Sequence, residues 1–248
     1  MTLAGRIMRQ TLPKKAADRL AFAVNTYRRY RDLRRALNAL CQQYAALNSL
    51  DEQIDLLCGH KIFGAIQQHN EVSGLLKVLK QNPPRYVCEI GTASGGTLFL
   101  LAQVCAPGAL LLSVDLGLSV ERCFVHARFA TRKQRIISIR GDSRAPTTLE
   151  RVRSLLHGHP LDLLFIDGDH SYNAVKADFI HYSPMVRPGG LIVFHDIVRD
   201  FGTRYGKPIG SYTGGVPVLW EEIKTRHRTS ELIEDPQQDG YGIGIVHN

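Results

Sequence analysis

The sequence lacks any Cys-x-x-Cys pair. Its five cysteines, Cys41, Cys58, Cys88, Cys105 and Cys123, are an odd number at unrelated spacings, which argues against a zinc cluster or a disulfide framework. Long apolar runs are also missing. A membrane helix needs roughly 20 such residues, and the longest candidate, Thr97 to Val114, is broken by Gln103, Pro107 and Gly108. No secretory-type apolar stretch with a small-residue cleavage site follows the scattered N-terminal arginines, so a cytoplasmic location is expected. There is no internal repeat and no low-complexity tract. The dinucleotide fingerprint G-x-G-x-x-G is absent as well: Thr92-Ala93 stands where its second glycine would be, which disfavours NAD.

The charge is unevenly placed. The chain has 248 residues, 44% of them hydrophobic, and a net charge of +8, enough for one full core with an appendage. All of the excess lies in residues 1–40, with ten Lys/Arg against two Asp, while 41–248 hold 21 of each sign. Residues 1–60 show no strand pattern. Leu20, Val24, Tyr27, Leu33, Leu37, Leu40 and Tyr44 follow a rough three-and-four spacing, and Pro13 marks a helix start near Lys14. We therefore divide the chain into a basic helical arm, 1–60, and a body, 61–248. The arm is expected to pack on the body or on a second copy, or to meet an anionic surface. A nucleic-acid partner is not expected, because the body is neutral and the arm lacks interleaved aromatics.

From Arg85 onward strands and helices alternate. Strands are predicted at Arg85–Ile90, Ala109–Asp115, Arg135–Arg140, Leu161–Asp167 and Gly190–His195, with helices near Gly96–Val104, Val120–Ala130, Thr147–Leu156 and Ala174–Tyr182. This is an α/β pattern, a Rossmann-like doubly wound sheet covered on both faces. A loop, Arg199–Pro217, carries Tyr205, Lys207 and Tyr212 and is expected to act as a lid. A helix (Val218–Arg226) and two short strands, Glu231–Glu234 and Gly242–Val246, follow it.

The first strand ends Val87-Cys88-Glu89-Ile90 and enters Gly91-Thr92-Ala93-Ser94-Gly95-Gly96. Glycine is needed where the backbone takes positive φ or sits against a ligand. Glu89, just before the turn, suits a cofactor with a cationic group. Asp115, at the next strand end, is placed to accept ribose hydroxyls. Either carboxylate alone also reads as a helix cap or a surface group.

These segments, with Ser113-Val114-Asp115, Gly141-Asp142-Ser143, Phe165-Ile166-Asp167-Gly168-Asp169-His170-Ser171-Tyr172 and Arg187-Pro188-Gly189-Gly190-Leu191-Ile192-Val193-Phe194-His195-Asp196, resemble class I S-adenosylmethionine-dependent methyltransferases. The subgroup resembled contains the rhamnosyl and macrolide-sugar O-methyltransferases and the cephalosporin hydroxylase-like proteins. The likeness spans roughly residues 62–246.

The resemblance implies a seven-stranded sheet of order 3-2-1-4-5-7-6 with the last strand antiparallel. It implies S-adenosyl-L-methionine as cofactor, with Glu89 and the turn residues Gly91, Thr92, Ser94, Gly95 and Gly96 at its methionine part, Asp115 at the ribose, and Asp142 and Ser143 near the adenine. Asp167 is expected to border the cofactor too.

Methyl transfer to an alcohol requires that the oxygen be placed and its proton removed, by a metal that lowers the hydroxyl pKa or by a general base. Asp167 and Asp196 end neighbouring predicted strands, and two carboxylates suit an octahedral Mg²⁺. His170, three residues after Asp167, is the natural base. Other roles stay open: Asp169 or Ser171 can cap the helix at Tyr172, and His170 can be a hydrogen-bonded helix-start residue. The resemblance supports Asp167 and Asp196 as metal ligands. Those enzymes carry a second carboxylate where this chain has His195, which either tilts the site toward Mn²⁺ as a third ligand or stands outside the ligand set.

The expected function is methylation of a hydroxyl on a sugar, a glycosylated natural product or another small molecule. The alternatives are a metal-independent transferase using His170 alone and a non-catalytic S-adenosylmethionine-binding scaffold.

Overall fold

The strand residues alternate in burial partners with a period of two. Val87, Leu111, Leu163, Phe165 and Val193 face one apolar layer, while Cys88, Leu112, Leu164, Ile166 and Phe194 face the other. A sheet with no solvated face needs this near-continuous apolar sequence. The structure, a computed structural model, describes residues 14–205 and 212–248. Residues 1–13 of the expected arm, and Lys207 of the expected lid, lie outside the described residues.

In chain order the elements are α1 (Lys14–Ala46), α2 (Leu50–Cys58), α3 (His69–Gln81), β1 (Tyr86–Ile90), α4 (Gly96–Val104), β2 (Leu110–Asp115), α5 (Val120–His126) and β3 (Arg135–Arg140). There follow α6 (Pro146–Leu156), β4 (Leu161–Ile166), α7 (Tyr172–Tyr182), β5 (Val186–His195), α8 (Phe201–Tyr205), α9 (Val216–Lys224), β6 (Thr229–Leu232) and β7 (Ile243–His247). The sheet is seven-stranded in the order β3-β2-β1-β4-β5-β7-β6. β1 to β5 pair in parallel, and β7 runs antiparallel to β5 and β6. This is the sheet that the resemblance implied.

Helix ends follow their capping residues. Ser49 and Glu52 form a reciprocal capping box at the start of α2, which satisfies two otherwise orphaned N–H groups. Ser119 caps α5, and Pro146 opens α6 at a position where a missing N–H costs nothing. The strand–helix alternation, which begins at Arg85, does not reach α3, whose buried stripe is Val72, Leu75, Leu76 and Leu79.

The far half of α1 and the apolar face of α2 pack into the core of the body. Leu37, Leu40, Ile54 and Leu57 are buried in one cluster with Leu76, Phe99 and Val87. The near half of α1 is exposed, with Phe22 and Tyr27 in solvent; Arg29 pairs with Glu121 and Tyr30 meets Phe124 on α5. Packing therefore continues across residue 60. Among the described residues, no helix is long and apolar enough to cross a membrane, and all five cysteines are free thiols.

Register brings the site together. Ile90 pairs with Ile166, and Ile166 with Phe194. The residues that leave these strands, Gly91, Asp167 and His195–Asp196, therefore emerge side by side at the carboxyl edge of the sheet, where open α/β sheets bind ligands.

Candidate active site

A cleft of about 630 Å³ opens at that edge, a size that suits a small-molecule cofactor with room for an acceptor. Its floor is the turn after β1. Gly91 has φ +82°, and a Cβ there would collide with the carbonyl oxygen of Asp167. Gly95 has φ +91° and lies against the His126 ring. Gly96 is closed over by the backbone of residues 63–65. The glycines thus let protein approach protein. They shape the floor; no side chain of theirs is traded for ligand space.

The turn is tied to Asp115. One of its oxygens accepts from Thr92 N and Ala93 N at 2.9 and 2.8 Å, and the other from Gly117 N at 2.6 Å. A carboxylate oxygen can accept two hydrogen bonds, so Asp115 keeps capacity on the Gly117 side while it lines the cleft.

Several expected contacts face elsewhere. The Thr92 hydroxyl meets Ser113 at 2.6 Å in the interior, and the Ser94 hydroxyl donates to Gly64 O at 2.6 Å. Their backbones still line the cleft. Glu89 is fully buried beneath the turn, with neither carboxylate oxygen hydrogen-bonded among the described residues, and does not line the cleft. Burial pushes its pKa up to about 8, so Glu89 is largely uncharged at neutral pH.

Across the cleft, Asp142 is held by the Arg144 guanidinium at 2.9 and 3.1 Å, which keeps its carboxyl below the usual range. Ser143 donates to Asp178 at 2.6 Å. Asp178 itself is buried, and burial raises its pKa to about 6.

The deeper end is denser in charge. Asp167 faces the Nδ1 of His195 at 3.2 Å and the Nε2 of His170 at 3.4 Å. Asp196 lies 3.4 Å from the Nδ1 of each histidine. Gln67 donates to the second oxygen of Asp167 at 3.3 Å. Burial would raise the Asp167 carboxyl, but the His195 and His170 imidazoles outweigh it and hold it low. Hydrogen bonding to Asp167 lifts His170 against its own burial, and Asp167 and Asp196 together lift His195 against its burial. Asp196 has φ +61°, a conformation uncommon for a side-chain-bearing residue, and such strain persists mostly where surrounding structure enforces it.

The donor set fits a divalent cation. Asp167, His170 and Asp196 each offer a ligating atom, all within 4.8 Å of one another. One Asp196 oxygen is buried without a partner among the described residues, and the carboxylates draw both imidazoles toward the cationic form. Two oxygens and a nitrogen suit Mn²⁺ or another transition ion at least as well as Mg²⁺. The geometry divides the histidines differently from the sequence. His170 joins the ligating set, whereas His195 is nearly inaccessible, with its Nδ1 on both carboxylates and its Nε2 buried without a partner among the described residues.

The expected lid has a pinned neck. Asp200 accepts from Thr213 N and Oγ1, both at 2.9 Å, and from Thr203 N at 2.6 Å. Burial opposes ionisation, but these donors bring Asp200 down to about 2. The returning strand of the loop sits on the His170 turn: Gly215 N donates to His170 O at 2.7 Å, and Tyr212 O meets His170 Nδ1 at 2.5 Å. Asp169, not Ser171, supplies the side-chain bond at the start of α7, through Ser171 N at 2.9 Å.

The topology and the strand-end carboxylates now stand together, and a family model described as a methyltransferase domain matches residues 88–197. Within 88–197 the chain is therefore similar to a methyltransferase domain, and its sheet has the order that the resemblance to class I S-adenosylmethionine-dependent enzymes implied. An O-methyltransferase from Bacillus cereus, solved with S-adenosylhomocysteine, superposes with a TM-score of 0.57 at 20% identity, covering 86% of this chain and 90% of that one. The O-methyltransferase TomG from Streptomyces achromogenes, which serves tomaymycin synthesis and was solved with S-adenosylmethionine, gives 0.56 at 16% identity, with coverage of 85% and 96%. At these identities the likeness is one of fold. An uncharacterised protein, y4gI of Sinorhizobium fredii, is 30% identical over 169 residues, 64% of this chain. The chain spans 17% of that relative's length.

The cleft is lined or braced by residues that carry no motif in the sequence: Gln67, the 63–65 segment, Arg144, Asp178 and Tyr241. Only Tyr241 had a local signal, its place between Gly240 and Gly242.

Proposed function

We propose that the chain transfers the methyl group of S-adenosylmethionine to a hydroxyl of a saccharide or glycosylated small molecule, assisted by a divalent ion. One observation carries this: Asp167, His170 and Asp196 converge in the same cleft as the β1 turn and Asp115. Bound S-adenosylmethionine supplies an electrophilic methyl on a sulfonium. The backbone of Gly91–Gly96 would bear its amino-acid part, the free acceptor position of Asp115 a ribose hydroxyl, and the Asp142–Ser143 turn the adenine edge. Glu89 acts from beneath the turn, where its buried carboxyl adds negative potential once ionised.

A divalent ion held by Asp167 and Asp196 supplies Lewis acidity that lowers the pKa of an alcohol. The residues themselves do the positioning. Tyr212 O accepts from His170 Nδ1–H, so the proton of the hydroxyl would go to Nε2, beside Asp167, when the ring is in its neutral form. Natural-product O-methylation by the TomG neighbour and the absence of excess charge in the body support a small acceptor over nucleic acid. A second reading, with His170 as a third ligand, is favoured by its place within the ligating set.

Titration of the protein with S-adenosylmethionine and with NAD is the first test, and binding of the former alone is expected. Turnover to S-adenosylhomocysteine over deoxysugar and polysaccharide acceptors, with and without EDTA, is the second. Activity that survives complete metal removal eliminates the ion. A purified chain that takes no adenosyl compound eliminates the transferase.

A further inference from the structure

Two tyrosine rings stand beside the charged end of the cleft, and the function proposed above leaves them unused. Tyr241 and Tyr212 both line it, next to His195, Asp196 and His170. Their centroids are 5.8 Å apart at 62°, and Tyr241 meets the His195 ring at 5.9 Å and 64°. The rings therefore form a continuous edge-to-face row that ends at the two carboxylates.

The row is built, and both of its supports are long-range. Tyr241 has φ +59°, a costly conformation for a bulky residue. Glu71, a buried carboxylate on α3, accepts from the following backbone at Gly242 N at 2.8 Å and from the Gln238 side-chain Nε2 at 2.6 Å, and that amide also donates to Gly240 O at 2.8 Å. Gly240 makes room for Tyr212, since a Cβ there would strike its hydroxyl and ring. The Tyr212 hydroxyl donates to Asp239 O, while its carbonyl holds His170. Tyr212 is anchored through its hydroxyl and Tyr241 through the backbone that follows it, and a ring held in advance presents area at little entropic cost.

We propose that Tyr241 and Tyr212 are specificity-determining residues that receive the flat apolar face of a hydroxyl-bearing six-membered ring, so that its reacting hydroxyl lies at His170 and Asp196. The proposal rests on the methyl-transfer function above and narrows its acceptor to a ring. A pyranose and a catechol share the chemistry required: a C–H or π face for the tyrosines and adjacent hydroxyls on the edge. An open-chain diol offers the hydroxyls without the face.

The test uses the full chain loaded with S-adenosylhomocysteine and Mn²⁺, titrated with methyl rhamnopyranoside, catechol and propane-1,2-diol. At least one ring should bind about tenfold more tightly than the diol, the scale expected of one good aromatic contact; which ring does so separates the two sources. Tyr241→Asn, which keeps a side chain tolerant of positive φ, should lose that advantage with S-adenosylhomocysteine affinity unchanged. Tyr241→Phe should retain it. Tyr241→Gly is the second ringless variant should Asn prevent folding. The proposal is overturned if the diol binds as well as both rings, if neither ring binds saturably, or if the ringless variant keeps the preference. Failure of wild type to bind S-adenosylhomocysteine defeats the transferase function itself, a different result.

Discussion

The two ends of the cleft are built on opposite plans. At the donor end the polar groups have spent most of their bonding capacity on the protein: Asp115 ties down the turn, Asp142 pairs with Arg144, and Ser143 and Ser94 donate inward. At the acceptor end two carboxylates and two imidazoles crowd together, and an Asp196 oxygen and a His195 nitrogen are buried without partners among the described residues. The donor end is a finished surface whose backbone would receive the ligand under the proposed function. The acceptor end holds charge that an additional cation and a hydroxyl would satisfy. Substitutions should therefore damage the first through affinity and stability, and the second through rate.

The largest effect is expected at the acceptor end. Asp196→Ala should lower turnover by about 10³-fold or more, the scale seen when a group that stabilises transition-state charge is removed, and leave S-adenosylmethionine affinity within about threefold. A parallel loss of cofactor binding would show that the two ends are not separable.

The donor end should answer in stability. Gly91→Ala places a Cβ against the Asp167 carbonyl at a residue with φ +82°, so a loss of about 3 kcal/mol or more is expected. Chemical denaturation checks it, and a midpoint equal to wild type would mean that the turn relaxes freely.

Beneath that turn lies His126, fully buried and lowered from 6.5 to about 4 by burial and then by Arg122. The unfolded chain takes up a proton near pH 6.5 that the folded chain refuses until about pH 4. Stability is therefore whole above 6.5 and falls as pH drops through this window, by about 3 kcal/mol at roughly 1.4 kcal/mol per unit. His126→Leu removes that dependence. The difference in stability between the two proteins, measured by urea at pH 7 and pH 4.5, should shift toward the variant. An unchanged difference would place a charged His126 in the fold.

What could be read from residue order follows the same division. The β1 turn, Asp115, Asp167 and Asp196 were legible because a strand end and the residues after it are adjacent in sequence, and parallel register carries each end to the same edge. The direction of a side chain was not legible. Thr92 and Ser94 turn to Ser113 and Gly64, partners 21 and 30 residues away, and no spacing rule encodes those meetings. Glu89 reads as a cofactor ligand by position, yet strand alternation buries it under the turn. The division of labour between His170 and His195 depends on the return of the loop at Tyr212 and Gly215, forty-odd residues beyond His170. α3 is a different omission: its stripe at 72, 75, 76 and 79 was present in the sequence and simply lay outside the alternating body.

The smallest effect sharpens the comparison most, because it asks whether the donor end keeps any capacity of its own. Asp115→Asn retains one carbonyl oxygen and can still accept from part of the turn, but it loses the charge and the free acceptor position beside Gly117. A hydrogen bond to a charged group is worth about 1.5–3 kcal/mol net, and the turn recovers part of this through the amide. S-adenosylmethionine affinity should fall about tenfold, a loss of about 1.4 kcal/mol, with turnover at saturating cofactor close to wild type. Calorimetric titration and a saturating-cofactor assay separate the two quantities. A fall in turnover at unchanged affinity would mean that Asp115 reaches the reacting end through the turn, and the opposition between a finished donor surface and a charged acceptor pocket would fail.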